Sequence, residues 1–516
     1  MSEALRREAY ELQMQGRFAE AAARYGQAVA AAPDDWESWN NLGNARRAAG
    51  DRDGAVAALS QAAALRGDQA GVHFNLGVAL AEAGRAEAAD AAFAEASRVT
   101  PDRPEALVPL GRALSALGRY DEAEAVYRRA PGVPDSWFEL GQLLERGNRL
   151  DRLPALVAEA ERAGVRLAYL DALALDREGK TGPALEVARM MRPADDPIRR
   201  ALLIGRLADK AGESGEAFAA YAEMNRLVAS AHPGAEGAAA EYRRHVSALI
   251  AMLTPAYAAG LAPPYPGERP APVFLVGFPR SGTTLLDTLL MGHPDVHVLE
   301  EEPLLQSAAA ALGDFAHLPA LDEAGVARLR RLYFEALDAR DPPPGKTIVD
   351  KLPLNLLGAP LIHRLFPDAK FVFAARHPCD VALSCFMQKF DLNPAMANFL
   401  DLDHTAALYD LVLTFWTKSR DLLPLDVHQL RYEDLVAGTE GEMRALIAFL
   451  GLDWDEKLLD HQRTAIARGP IATPSYAQVA QPIYARSSGR WRRYRGQMAS
   501  VLPILTPWAE RMGYDA

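Results

Sequence analysis

One stretch limits what this chain can fold into more than any other: Val273-Phe274-Leu275-Val276-Gly277-Phe278-Pro279-Arg280-Ser281-Gly282-Thr283-Thr284-Leu285-Leu286, an apolar run, a turn bounded by glycines, then a helical pattern. It reads as strand, phosphate loop and helix. Gly277 and Gly282, with four residues between them, let successive backbone N–H groups point inward at an anion, and the helix that follows adds the positive end of its dipole. The spacing is that of a Walker A loop, but Thr283 stands where that motif has its phosphate-reaching lysine, and the nearby cation is Arg280, inside the loop. Such a loop suits a singly phosphorylated, activated group better than a nucleoside triphosphate.

At 516 residues the chain is too long for one core, so two or more domains are expected. A formal net charge of -12 argues against a general nucleic-acid binder, whose footprint is basic. The two cysteines, Cys379 and Cys385, make neither a disulfide framework nor a zinc set, so a reducing compartment is the default and no metal site is expected. The opening Met1-Ser2-Glu3-Ala4-Leu5-Arg6-Arg7-Glu8 is charged, without the apolar segment of a signal peptide, and no later run approaches a membrane span in length. The expectation is a cytoplasmic protein with no membrane span. Its oligomeric state is open.

From the start to residue 250 the chain is rich in Ala, Leu, Glu and Arg with helical periodicity, which predicts an all-α region. Gly16, Gly50, Gly84 and Gly118 recur every 34 residues, as do Gly43, Gly77 and Gly111, with small residues at Ala21, Ala55, Ala89 and Ala123. This register resembles the tetratricopeptide repeat, with Trp39, Leu42 and Gly43 in one helix and Pro33 or Pro101 between units. Small residues at these places let two antiparallel helices approach, and each hairpin buries its apolar face only by stacking on the next. Clear repeats are expected over residues 1–134 and degenerate ones over 135–250. Asn41 and Asn75 hold the same position in consecutive repeats, with Asn44 a turn away, so an asparagine ladder could hold a peptide backbone or merely sit solvated or capping between helices.

A Pro-rich linker is expected over residues 251–271. Beyond it, in residues 272–516, the runs Val273–Val276, Thr347–Val349, Lys370–Ala374 and Val427–Leu430 alternate with helical stretches, predicting an α/β domain with a parallel sheet. Ligands in such sheets sit beyond the carboxyl ends of strands. There the chain places Lys351 in Asp350-Lys351-Leu352-Pro353, and Arg376 with Ser384 in the segment opening Ala375-Arg376-His377-Pro378. An arginine at a strand tip and a serine one to two turns into the next helix can hold a second phosphate. Two phosphate grips imply a ligand phosphorylated at two places.

The motifs Phe278-Pro279-Arg280-Ser281-Gly282-Thr283-Thr284 and Phe373-Ala374-Ala375-Arg376-His377-Pro378, with Ser384, resemble the 5'-phosphosulfate loop and 3'-phosphate motif of the sulfotransferase superfamily. Within it the likeness is to the tyrosylprotein sulfotransferases and their bacterial relatives fused to tetratricopeptide repeats. The resemblance implies the donor 3'-phosphoadenosine-5'-phosphosulfate, the product 3',5'-phosphoadenosine and no metal. By the same resemblance Arg280, Ser281, Gly282, Thr283 and Thr284 hold the 5'-phosphosulfate, and Arg376 and Ser384 hold the 3'-phosphate. Glu301 becomes the catalytic base, Lys351 and Arg280 stabilise the leaving group, and Tyr432 packs near the adenine. The segment Arg486-Ser487-Ser488-Gly489-Arg490-Trp491 resembles the late loop that closes over the donor, which makes Arg486, Ser488, Gly489, Arg490 and Trp491 candidates for binding it.

The acceptor is read only as a hydroxyl, on a protein or peptide recruited by the repeats, a saccharide, a lipid or a metabolite. Pro303 stands where the animal tyrosylprotein enzymes carry an arginine two positions after the base, which leaves tyrosine-peptide recognition open. Two other readings stand beside this one: a kinase or nucleotide triphosphatase using the same loop, and an inactive scaffold whose repeats carry the function.

Overall fold

The computed structural model describes residues 2–467 and 488–515, apart from residues 15, 84, 100–103, 117, 118, 147, 148, 193–195, 262–264, 266 and 268. Gly84, Gly118, Pro101 and Arg486 therefore lie outside the described residues. Packing divides the chain into two compact units, Met1–Glu178 and Gly179–Ala516.

The first unit is a run of antiparallel helix pairs. Its first four units begin at Ser2, Trp36, Ala70 and Pro104, in the 34-residue register of the glycines. The reason for the glycines is steric. A Cβ at Gly43 would strike Leu59, one at Gly77 would strike Phe93 and one at Gly111 would strike Tyr127, so each bare backbone is the seat of the large side chain from the paired helix. Trp39 Nε1 donates to the carbonyl of Pro33 at 2.9 Å, and Trp137 Nε1 repeats this bond to Pro131 at 2.8 Å, tying a first helix to the turn before it. Asp35 and Asp51 cap their helices by accepting from Ser38 and Gly54 N–H.

The second unit contains helices Pro197–Ala211, Ser214–Ala231 and Ala235–Met252 together with the α/β region. The glycine device recurs here, because a Cβ at Gly205 would come within 3.0 Å of the Tyr221 ring. These helices are built into the α/β region: Asn225 Nδ2 donates to the Phe386 carbonyl at 2.9 Å, Lys418 Nζ to that of Ile250 at 2.8 Å, and Phe218 stacks on Phe386. The stretch that composition marks as linker also holds a short helix, Pro255–Gly260, with Thr254 accepting from Tyr257 N–H and proline in the first turn.

The sheet has five parallel strands in the order β2-β3-β1-β4-β5, with β1 Val273–Gly277, β2 Val296–Glu300, β3 Thr347–Lys351, β4 Lys370–Ala375 and β5 Asp426–Arg431. Four of these follow from the apolar runs. The edge strand β2 lies outside those runs. One face packs Val273, Leu275, Val298, Val349 and Val372 against the helices Thr283–Leu290 and Thr439–Leu450. On the other, Phe274 and Phe371 meet Tyr333, Phe366 and Trp416. Both faces are covered, as a parallel sheet requires. Because β1 lies between β3 and β4, the chain reverses direction across the sheet at the carboxyl end of β1, where such folds open a crevice.

Candidate active site

The loop after β1 is shaped by backbone more than by side chains. Arg280 has φ +69 and Gly282 φ +100, both in the left-handed region. Gly282 has a second constraint, since a Cβ there would come 2.7 Å from the Tyr432 ring, and Gly277 would meet the Ala374 carbonyl at 2.7 Å. Glycine at both positions lets β4, the loop and Tyr432 close up around the start of helix Thr283–Leu290. That helix has no side-chain cap, and its first residues, Thr283 and Thr284, are buried. Its leading N–H groups are the kind of donors an anion satisfies. Ser281 is 2 % exposed, and its Oγ makes no hydrogen bond among the described residues.

The two phosphate motifs meet. Arg280 Nε donates to Ser384 Oγ at 3.1 Å, and an Arg376 terminal nitrogen donates to the Arg280 carbonyl at 3.1 Å. The Arg376 guanidinium lies 4.8 Å from the centre of the Tyr432 ring. Arg280, Arg376, Ser384 and Tyr432, from three separate strand ends, thus form one cradle, with the buried Ser281 hydroxyl in the same loop as Arg280. A phosphorylated ligand fits these residues: guanidinium forks, a serine hydroxyl with no partner and a flat aromatic ring are what a nucleotide's phosphates and base contact.

A second cluster gathers around Lys351, which is fully buried at the end of β3. Its Nζ is 3.2 Å from Asp287 Oδ2, 3.1 Å from Glu300 Oε1 and 3.0 Å from Glu301 Oε1. Sheet register explains the second contact, because Glu300 pairs with Lys351 across β2 and β3. Burial alone would lower the lysine's pKa, but Asp287, Glu301 and Glu300 outweigh it and hold the pKa above its ordinary value, so the ammonium is kept. Glu301 follows β2 with φ +54, its N–H bonded to the Lys351 carbonyl at 2.7 Å. Among the described residues only four that are not glycine have positive φ, and Arg280 and Glu301 are two of them, which is where strain tends to collect at working sites. Glu302 turns away to Arg340 at 2.8 Å. Beside the cluster Asp350, wholly buried, is pushed up to about 7 by burial although Tyr333 donates to it at 2.9 Å.

The late loop packs on the tip of β4. Asp380 accepts from Gly489 N–H at 2.6 Å and Trp491 N–H at 2.8 Å, and Trp491 stacks on His377 at 5.1 Å. Burial raises the Asp380 pKa, while Arg376 and the two N–H donors oppose it. Trp491 Nε1 is buried and has no partner among the described residues. Ser488 is exposed, and Arg490 directs its Nε and one terminal nitrogen to Asp209 at 3.1 and 2.8 Å. Cys379 and Cys385 are free and buried, and burial lifts the Cys379 thiol to about 12, far from a reactive thiolate.

In the repeats, Asn75 does not stand open as a ladder rung: its Nδ2 donates to Asn40 Oδ1 at 2.9 Å, a bond between neighbouring units. Asn41 is half-buried and touches Asn40, and Asn44 is also half-buried. Asn40, Asp287, Asp380 and Asp209 were missed by motif reading. Asp287 and Asp380 do leave a signal, each being the one charged residue of its helix.

These features define a sulfotransferase domain joined to tetratricopeptide repeats: residues 272–456 match the sulfotransferase family, and residues 43–84 and 80–146 match the tetratricopeptide repeat. An uncharacterized protein of Aquifex aeolicus is 30% identical over 285 residues, 51% of this chain, which spans only 36% of that protein's length. Protein-tyrosine sulfotransferase 2 of Gallus gallus is 28% identical over 279 residues, 49% of this chain and 71% of that protein. Among solved structures, the sulfotransferase domain of the Synechococcus PCC 7002 olefin synthase is similar over 49% of this chain and 100% of that one, at 24% identity and TM-score 0.34. Among the described residues no group of three or more His, Cys, Asp or Glu is placed to hold a metal ion, and no helix is long and apolar enough to cross a membrane.

Proposed function

We propose that the chain moves a sulfuryl group from 3'-phosphoadenosine-5'-phosphosulfate to a hydroxyl acceptor, and that the acceptor is a protein or peptide engaged through the repeats. The observation that carries this reading is the meeting of the two phosphate motifs, Arg280 Nε on Ser384 Oγ at 3.1 Å, in a loop without the Walker lysine. The donor, when bound, supplies the activated sulfuryl group. Arg280, Ser281, Gly282, Thr283 and Thr284 would hold its 5' end, Arg376 and Ser384 its 3'-phosphate, and Tyr432 and Trp491 the nucleoside. Sulfuryl transfer resembles phosphoryl transfer in that catalysis rests on positioning and charge stabilisation.

Glu301 accepts the acceptor's proton as its oxygen attacks, and Lys351 meets the negative charge that develops at the opposite end of the breaking bond. The Lys351–Glu301 ion pair at 3.0 Å supports this assignment, since it sets the carboxylate and the ammonium side by side in one small volume. The relatives named protein-tyrosine sulfotransferases favour a peptide hydroxyl, although Pro303 replaces the arginine that the resemblance leads one to expect.

Incubation with labelled donor and host extract tests this reading. Incorporation into macromolecules by the full chain, lost in Glu301→Gln, supports it. No incorporation, together with thermal stabilisation by ATP and Mg²⁺ but none by 3',5'-phosphoadenosine, would favour the kinase reading. Comparison with a chain beginning at Gly179 tests the repeats, because that cut leaves the second unit whole whereas a cut near residue 260 removes the contacts of Asn225 and Ile250.

A further inference from the structure

The segment from Gly489 to Tyr494 is held between two carboxylates. Asp380, on the helix after β4, binds the Gly489 and Trp491 N–H groups. From the other side comes Asp209, in the last turn of helix Pro197–Ala211, within the all-helical part of the sequence. Its Oδ1 accepts from Arg490 Nε at 3.1 Å, Arg493 Nη2 at 3.1 Å and the Tyr494 hydroxyl at 2.6 Å. Its Oδ2 pairs with Arg490 Nη2 at 2.8 Å, and its carbonyl accepts from Arg493 Nη1 at 3.1 Å. Arg490 therefore grips the carboxylate with two nitrogens, the geometry that fixes direction as well as charge.

An aspartate in the last turn of a helix faces the negative end of the dipole, so nothing in the helix itself favours it there. Its carboxylate's partners named above lie in the arginine-rich turn Arg490–Tyr494, which also carries Trp491 onto His377, the residue next to Arg376. Gly489, in the left-handed region at φ +70, lets the chain turn between the two carboxylates. We propose that Asp209 is a positioning residue for the donor site: by fixing Arg490 and Arg493 it sets the turn that lays Trp491 against the β4 tip, so that donor affinity depends on a helix belonging to the helical half of the chain. This rests on the donor-site reading above. It adds that the last helical hairpin is part of the site's wall.

The test is calorimetric titration of the full chain with 3',5'-phosphoadenosine, comparing wild type, Asp209→Asn, Asp209→Glu and Arg493→Gln, with donor KM and kcat measured alongside. Losing a charge-assisted bond from Asp209 is expected to weaken binding about tenfold to a hundredfold and raise donor KM in step, with kcat at saturating donor nearly kept. Asp209→Glu recovers part of the affinity. Arg493→Gln, which removes the more exposed partner and leaves Asp209 in place, shows a smaller loss in the same direction and stands as the test should Asp209→Asn fail to fold. Wild-type affinity in both Asp209→Asn and Arg493→Gln, with only a lower melting temperature, would overturn the inference while leaving the donor site intact. No binding by the wild type would overturn the underlying reading instead.

Discussion

The two clusters at the carboxyl ends of the strands are built on different electrostatic plans. Around the phosphate loop two guanidiniums converge: Arg280 donates to a hydroxyl, while Arg376 donates to a backbone carbonyl, lies by an aromatic ring and lowers the pKa of the Asp380 carboxylate. Around Lys351, one ammonium is shared by three carboxylates, those of Asp287, Glu300 and Glu301. The first plan suits holding a ligand with several phosphates; the second suits a proton acceptor and a charge stabiliser that must act together. On the proposed function binding and chemistry are separable, and substitutions should sort by cluster.

The largest expected effect is at Glu301. Glu301→Gln keeps the size and the Lys351 contact but removes the base, and turnover should fall about 10²- to 10⁴-fold while 3',5'-phosphoadenosine binds as before in calorimetry. A variant with normal kcat would break the division. Lys351→Ala should cost on the order of 2.7–4 kcal/mol of barrier, roughly a hundredfold to a thousandfold in kcat, and it also removes the buried ion pair with Asp287, so the melting temperature should drop. Arg376→Gln should do the reverse, weakening 3',5'-phosphoadenosine binding about tenfold to a hundredfold with kcat at saturation largely kept. If kcat collapses and affinity is unchanged, Arg376 belongs to the chemistry.

The remaining effect concerns stability, not activity. Asp350 has its pKa raised from 3.8 to about 7 by burial, so between those values the folded chain keeps a proton that the unfolded chain has lost. A group bound more tightly to its proton when folded stabilises the fold least at high pH: its contribution declines as pH rises from about 4 to about 7 and is flat above. Asp350→Asn removes that decline, so its melting temperature relative to wild type should improve between pH 5 and pH 8. Parallel curves would mean that Asp350 stays ionised, held by Tyr333 and Asn355.

Much of this architecture was legible because single residues carry strong steric demands. The spacing of Gly43, Gly77 and Gly111 announces helix pairs, since each glycine seats one large residue of the next helix. The apolar runs of β1 and β4, with the shorter Thr347–Val349 and Val427–Leu430 beside them, announce a parallel sheet. Strand β2, the five residues Val296–Glu300, was not among the expected runs, and missing it hid the register that sets Glu300 beside Lys351. Asp209 left no trace, because an aspartate in an amphipathic helix looks solvated until a segment about 280 residues later folds onto it. The pairing of Asn75 with Asn40 was equally hidden, as it depends on how one repeat stacks on the next.

The central claim is that the cradle of Arg280, Arg376 and Ser384 is built for two phosphates on one nucleoside. Calorimetric titration of the full chain with 3',5'-phosphoadenosine and, separately, with 5'-adenosine monophosphate measures it directly. The expected result is binding of the bisphosphate at least about tenfold tighter than the monophosphate, the scale of one charge-assisted grip. Equal affinity for the two, or binding of neither, would contradict it.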